Sequence, residues 1–201
     1  MLRSQSRIGD REGLPAARPS QRDEVDLIDR IERKDLRAFE ALYRIYHPRL
    51  TRFLVNIIRR PHLVEEALND TMMVVWEKPE GYNGASRVST WIFGIAYRKA
   101  LKTLRRWDEP VEDSRLDLQP SPDIGAEQEI GDRQTHQTLQ EALAKLSPDH
   151  RAVVNLAYFQ DIGYREIAEI MDCPVDTVKT RMFHARRHLK AALAGQLTDW
   201  L

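Results

Sequence analysis

Cysteine is nearly absent from this chain: Cys173 is the single one in 201 residues. No intramolecular disulfide framework is available, and no Cys cluster offers a zinc site. Cys173 falls in a predicted turn where a small residue suffices. Long apolar runs are also missing. No stretch approaches the length of a membrane span, and no apolar segment follows the arginines near the N-terminus, so no membrane insertion and a cytoplasmic location are expected. Net charge is zero, with 31 basic and 31 acidic residues, so overall charge says nothing about partners. There is no P-loop, dinucleotide fingerprint or nucleophile elbow. The six histidines are scattered. The His184–His188 spacing would suit a metal pair, but no Glu follows His184 in the needed pattern, and basic neighbours repel a cation. No enzyme activity, metal or cofactor is expected. No period-two run demands a sheet, so the fold class is all-α.

The two signs of charge are segregated along the chain. Residues 98–106 hold Arg98, Lys99, Lys102, Arg105 and Arg106 with no acid, while residues 108–133 are strongly acidic and the chain turns basic again after Lys179. Such blocks point to an acidic linker between basic modules.

The most informative stretch is 164–190, YREIAEIMDCPVDTVKTRMFHARRHLK. It reads as two short helices joined by a tight turn at Asp172, a residue type that tolerates left-handed backbone. On a wheel of about 100° per residue starting at Val175, Val178, Met182, Ala185 and Leu189 collect with Val175 on an apolar side. Thr177, Thr180, Arg181, His184, Arg187 and His188 collect opposite. This is the sequence form of a helix-turn-helix, whose second helix enters the DNA major groove. Thr177, Thr180, Arg181 and His184 are expected at base edges, and Arg186, Arg187 and Lys190 at phosphates.

The remaining chain organises around helical periodicity. Residues 1–22 read as a tail. From Asp23, Leu27, Ile28 and Ile31 form one face, and Leu36 to Ile57 continue at spacings of three and four, with Pro48 expected to kink or break that helix. A further helix spans His62–Lys78, a Pro-, Gly-, Asn- and Ser-containing loop covers Pro79–Ser89, and Ser89 or Thr90 is expected to cap the next helix, which runs to about Trp107. The expected organisation is a tail at 1–22, a first helical domain at 23–107, a flexible acidic linker at 108–134 and a helix-turn-helix domain at 135–195. In the second domain Ser147-Pro148 caps a helix, and Gly163 is expected to permit the turn that follows.

The helix around Trp91–Trp107 has the same two-faced character. Phe93, Ala96, Tyr97, Ala100, Leu101 and Leu104 gather on one side, and its five cations on the other. Trp91 opens the cationic face, where an indole beside a cationic stripe suits stacking on an unpaired base; the alternative is that Trp91 folds back into the core. One helix thus suits duplex DNA and the other a melted strand.

These residues, taken together, resemble the extracytoplasmic-function class of bacterial RNA polymerase sigma factors over about Asp23–Leu193. The likeness is carried by DLRAFEALYRIYHPRL, EEALNDTMMVVWEK, YNGASRVSTWIFGIAYRKALKTLRR and LSPDHRAVVNLAYFQDIGYREIAEIMDCPVDTVKTRMFHARRHLK, in that order. The resemblance implies that Glu66, Asn69, Asp70, Thr71, Val74 and Trp76 face core RNA polymerase. It implies that Tyr82, Asn83, Ser86, Arg87, Thr90, Trp91, Arg98, Lys99, Lys102, Arg105 and Arg106 melt and read the −10 element. Val175, Asp176, Thr177, Lys179, Thr180, Arg181, His184, Arg186 and Arg187 would read the −35 element. Promoter DNA, core polymerase and an anti-sigma factor are the implied partners. Asn69 stands where the family often has Gln, Met72 where it often has Phe, and Val74 where a basic residue is frequent. The alternatives are a stand-alone helix-turn-helix regulator, which leaves the first domain without a role, and a decoy that binds an anti-sigma factor.

Overall fold

The computed structural model describes residues 20–108, 139 and 141–193. The predicted tail, except residues 20–22, and the predicted acidic linker, except residue 108, lie outside the described residues. Four helices form the first half: α1 (Gln21–Glu32), α2 (Leu36–Ile58), α3 (Pro61–Glu77) and α4 (Val88–Asp108), with a single 3₁₀ turn at Pro79–Gly81. After helical residues at 141–144, the second half contains α5 (Pro148–Tyr158), α6 (Tyr164–Met171) and α7 (Val175–Leu193). No strand occurs among the described residues.

Local chemistry sets the helix starts. Ser20 and Asp23 satisfy each other's backbone N–H groups at the head of α1, and the Asp35 carboxylate accepts from the Arg37 and Ala38 amides at the head of α2. Both arrangements pair donors that a helix start otherwise leaves unsatisfied. Pro61 begins α3 at the position where a missing N–H costs nothing. Ser147 caps α5 as its sequence requires.

Three sequence expectations are corrected. Pro48 neither breaks nor ends α2, which runs continuously through it. Tyr46, Leu50, Phe53 and Leu54, all fully buried, pin both flanks of the proline, and their packing outweighs the lost backbone bond. α4 starts at Val88, ahead of the expected caps Ser89 and Thr90, because Val88 is itself core. Gly163 has ordinary backbone (φ −69°) and serves as the N-cap of α6. The left-handed residue in that turn is Asp161 (φ 56°).

The first-half core is built on α2, α3 and α4. Phe93 meets Phe53 edge-on with ring centroids 5.2 Å apart, a favoured aromatic geometry. A buried polar network accompanies it. Glu24 of α1, 5 % exposed, accepts from Tyr46 Oη at 3.0 Å and faces Arg49 at 3.8 Å. The Arg49 guanidinium stacks on the Tyr46 and Phe93 rings.

The two halves pack along two seams, α2 against α5 and α4 against α6. Arg49 Nε donates to Gln160 Oε1 at 3.2 Å, and Tyr97 Oη donates to Asp149 at 2.7 Å. The Arg151 guanidinium donates to the carbonyls of Ile57, Ala144 and Leu146. Burial holds its pKa down at about 10. Buried Asn155 has neither amide atom paired. Polar groups thus stitch the two halves together.

Candidate nucleic-acid interface

The helix-turn-helix has the geometry its sequence requires. Asp172 closes α6 in the left-handed region (φ 49°, ψ 55°), and the Cys173 amide donates to Ala168 O at 3.0 Å. α7 turns Val178, Met182 and Ala185 into the core. Asp176, Lys179, Thr180, His184, Arg186 and Arg187 are exposed on the other side, while Val175 and Thr177 are half-buried. Lys179 pairs with Asp176 on the same helix. Arg186 donates to Tyr158 Oη at 3.0 Å, which places it beside the end of α5.

Arg181 is placed differently from its expected role at a base edge. Its guanidinium forms an ion pair with Asp149 and approaches Cys173 Sγ at 3.6 Å, with its side chain 25 % exposed. Asp149 also accepts from Tyr97 of the first half, so Arg181 belongs to a relay linking α7, α5 and α4. His150, beside Asp149, has its pKa lowered first by burial and then by the neighbouring positive charge of His184 and Arg181.

On α4, Lys99 and Arg106 are paired across to α3, with Asp70 at 2.9 Å and Glu66 at 3.4 Å. Sequence reasoning had placed these acids and bases on two separate surfaces. Arg98, Lys102 and Arg105 form no ion pair among the described residues. They follow one another at helical spacing and line, with Leu101 and Arg106, a concavity of about 350 Å³. Such a row has the charge and spacing to follow a phosphate backbone.

The loop ahead of α4 is ordered by its own side chains. Tyr82 Oη donates to Ser86 O, Asn83 Oδ1 accepts from the Ala85 amide, and Gly84 takes φ 74°. Trp91 is half-buried, its ring 5.6 Å from that of Tyr82. Thr90 is buried at the seam between the halves, 3 % exposed. Its hydroxyl donates to Glu166 of α6 at 3.3 Å, and Arg87 faces the same carboxylate at 3.7 Å. In this arrangement Thr90 cannot touch a nucleic acid.

On α3, Glu66, Asn69 and Asp70 are exposed along one row. Met73, 53 % exposed, extends that row and was not singled out from the sequence. Thr71 corrects an expectation: it is fully buried and its hydroxyl donates to Ala67 O at 2.7 Å. Val74 and Trp76 are half-buried. Trp76 packs against Phe39 at 5.2 Å and lies under the Lys34 ammonium. No group of three or more His, Cys, Asp or Glu side chains able to hold a metal occurs among the described residues. No described helix is long and apolar enough to cross a membrane.

This pairing of a four-helix unit with a helix-turn-helix defines a two-region transcription factor. Residues 42–108 match Sigma-70 region 2, and residues 136–189 match Sigma-70, region 4. The chain is 30% identical over 153 residues to the ECF RNA polymerase sigma factor RpoE of Cereibacter sphaeroides, covering 75% of this chain and 83% of that protein. It is 27% identical over 195 residues to the RNA polymerase sigma-H factor of Pseudomonas aeruginosa, covering 90% of this chain and 98% of the relative. The fold is similar to that of CnrH in complex with the cytosolic domain of CnrY (TM-score 0.64, 19% identity, 87% of this chain and 98% of that one). It is also similar to RpoE in complex with the anti-sigma factor NepR from Bartonella quintana (TM-score 0.63, 22% identity, 80% of this chain and 99% of that one). The chain belongs to the extracytoplasmic-function RNA polymerase sigma factors, and it directs core polymerase to promoters. Members of this family are transcription factors rather than enzymes.

Proposed function

We propose that the exposed face of α7 reads the −35 element in the major groove, while α4 and the Tyr82–Arg87 loop hold the melted −10 strand. The observation that carries this reading is the one-sided exposure of α7, with Thr180, His184 and Arg187 outward and Val178, Met182 and Ala185 buried. Arg186 and Arg187 supply phosphate contacts and Thr180 and His184 reach base edges. Arg98, Lys102 and Arg105 are the strand-tracking cations of α4. Thr90 and Arg87 become free for the strand only when their contact with Glu166 is released.

Core polymerase docks on the α3 row of Glu66, Asn69, Asp70 and Met73, with Trp76 at its edge. The functional units are a first domain at 23–107 and a second at 135–195, joined by the acidic segment 108–134. The protein works in the cytoplasm, where its partners are. An anti-sigma factor is the further partner, supported by the two similar folds, whose structures are complexes with CnrY and with an anti-sigma factor.

Salt titration of promoter binding by the holoenzyme tests the α7 assignment. Arg187→Ala should weaken all sequences alike and lower the salt slope by about one. An unchanged slope and affinity would remove α7 from the groove.

A further inference from the structure

α7 packs on α5, and titratable groups gather at the start of that contact. The rings of His150 on α5 and His184 on α7 are 6.3 Å apart and nearly perpendicular, at 85°. Arg181 and His188 also act on His150 from α7. They lie three residues before and four after His184, the spacing that keeps side chains on one helix face. The carboxylate beside them is Asp149, already engaged by Arg181 and by the Tyr97 hydroxyl of α4. From the α6–α7 turn, Cys173 Sγ meets the same guanidinium at 3.6 Å. The charges of Arg181 and Asp149 cancel. A proton taken up by an imidazole here therefore adds positive charge to a site whose carboxylate is already committed.

His150 resists that proton for two further reasons. It lies in the first turn of α5, where unpaired backbone N–H groups leave partial positive charge. Its Nδ1 is 2.5 Å from Ser147 Oγ, the capping oxygen that accepts the His150 amide at 3.4 Å. A bare Nδ1 accepts from the Ser147 hydroxyl and leaves that oxygen's lone pairs to the amide, whereas a protonated ring donates to the same oxygen and competes. We propose that the α5–α7 contact is a proton-sensitive catch, closed on a neutral His150 and loosened when His150 takes up a proton opposite His184. Burial, then His184, Arg181 and His188, lowers the His150 pKa, with Asp149 opposing. The packing of α7 on α5 is therefore at full strength above the ordinary histidine value of about 6.5 and weakens as pH falls through the lowered one. The catch acts on how α7 is held, whatever DNA that helix reads.

Hydrogen exchange of the full chain, corrected for the intrinsic pH dependence of amide exchange, reads the opening of α7 between about pH 7.5 and about pH 5.5. An NMR titration follows the imidazoles in parallel. The α7 amides should open about twofold to fivefold more often at the lower pH, the worth of one unfavourable charge in the first turn of a helix, with no matching change in α3. His150 should titrate below the ordinary histidine value, and higher in His184→Gln than in wild type. His150→Gln should remove most of the pH response of α7. His184→Gln, at an exposed position, should reduce the response by itself and add little to His150→Gln, because the two rings act as a pair. The proposal is overturned if both variants respond to pH as wild type does, or if His150 titrates at or above the ordinary value. It is equally overturned if α3 opens in step with α7, which marks a general effect of acid.

Discussion

Arg181→Ala separates a structural arginine from a base reader. Its guanidinium pairs with Asp149, with side chains 25% and 34% exposed, so the pair is half-screened by solvent. Two unit charges about 4 Å apart interact by about 4 kcal/mol at an effective dielectric of 20, and desolvation removes most of that. Loss of the guanidinium leaves Asp149 with the Tyr97 hydroxyl as a remaining donor, which keeps the net cost to about 1–2 kcal/mol. For a chain of this size that is a fall in Tm of a few degrees, at about 2–4 °C per kcal/mol. The assay is thermal unfolding of the full chain, with Asp149→Ala and the double variant closing a cycle. The two single losses should be non-additive, and the holoenzyme should keep its order of preference among upstream sequences. An unchanged Tm together with relaxed preference at one base pair would refute the reasoning and restore Arg181 to the groove.

Other perturbations have equally definite outcomes. Burial raises the Glu24 carboxyl pKa against the opposing influence of Tyr46 and Arg49. Its contribution to stability is therefore fullest below its ordinary pKa and is lost as pH rises through the raised folded value. Glu24→Gln should match or exceed wild-type stability at pH 7, and chemical denaturation should show wild type gaining on the variant as pH falls toward 4. Tyr97→Phe removes one bond between the halves and should cost about 1.5–3 kcal/mol, with faster hydrogen exchange at the α4–α6 seam. Lys102→Ala and Arg105→Ala should each flatten the salt dependence of single-strand binding by about 0.7, since each neutralises one phosphate. Trp91→Ala should lower permanganate reactivity at promoter thymines, and a premelted template should restore most of the defect; a template that rescues nothing would assign Trp91 to packing alone.

Helix positions and types were legible because burial repeats at helical spacing and the caps are written in single residues such as Ser147 and Asp172. Pro48 was misread because a local rule about proline competes with tertiary packing, and here Tyr46, Leu50 and Phe53 prevail. Thr71 and Thr90 look like surface residues by chemistry, yet one satisfies its hydroxyl on Ala67 O and the other on Glu166. Only a structure reveals such partners. The α3–α4 ion pairs were hidden for a related reason: sequence distances of 29 and 40 residues carry no pairing signal.

The most direct test is run-off transcription with purified core polymerase and the full chain, on templates carrying an upstream element that the holoenzyme selects from a randomised duplex library. A single promoter-defined transcript that requires the chain is expected. Scrambling the upstream element should abolish it on duplex template, and so should Lys102→Ala combined with Arg105→Ala, with a premelted −10 region rescuing the latter. Transcription indifferent to the upstream sequence, or no association with core polymerase alongside intact promoter binding, would contradict it.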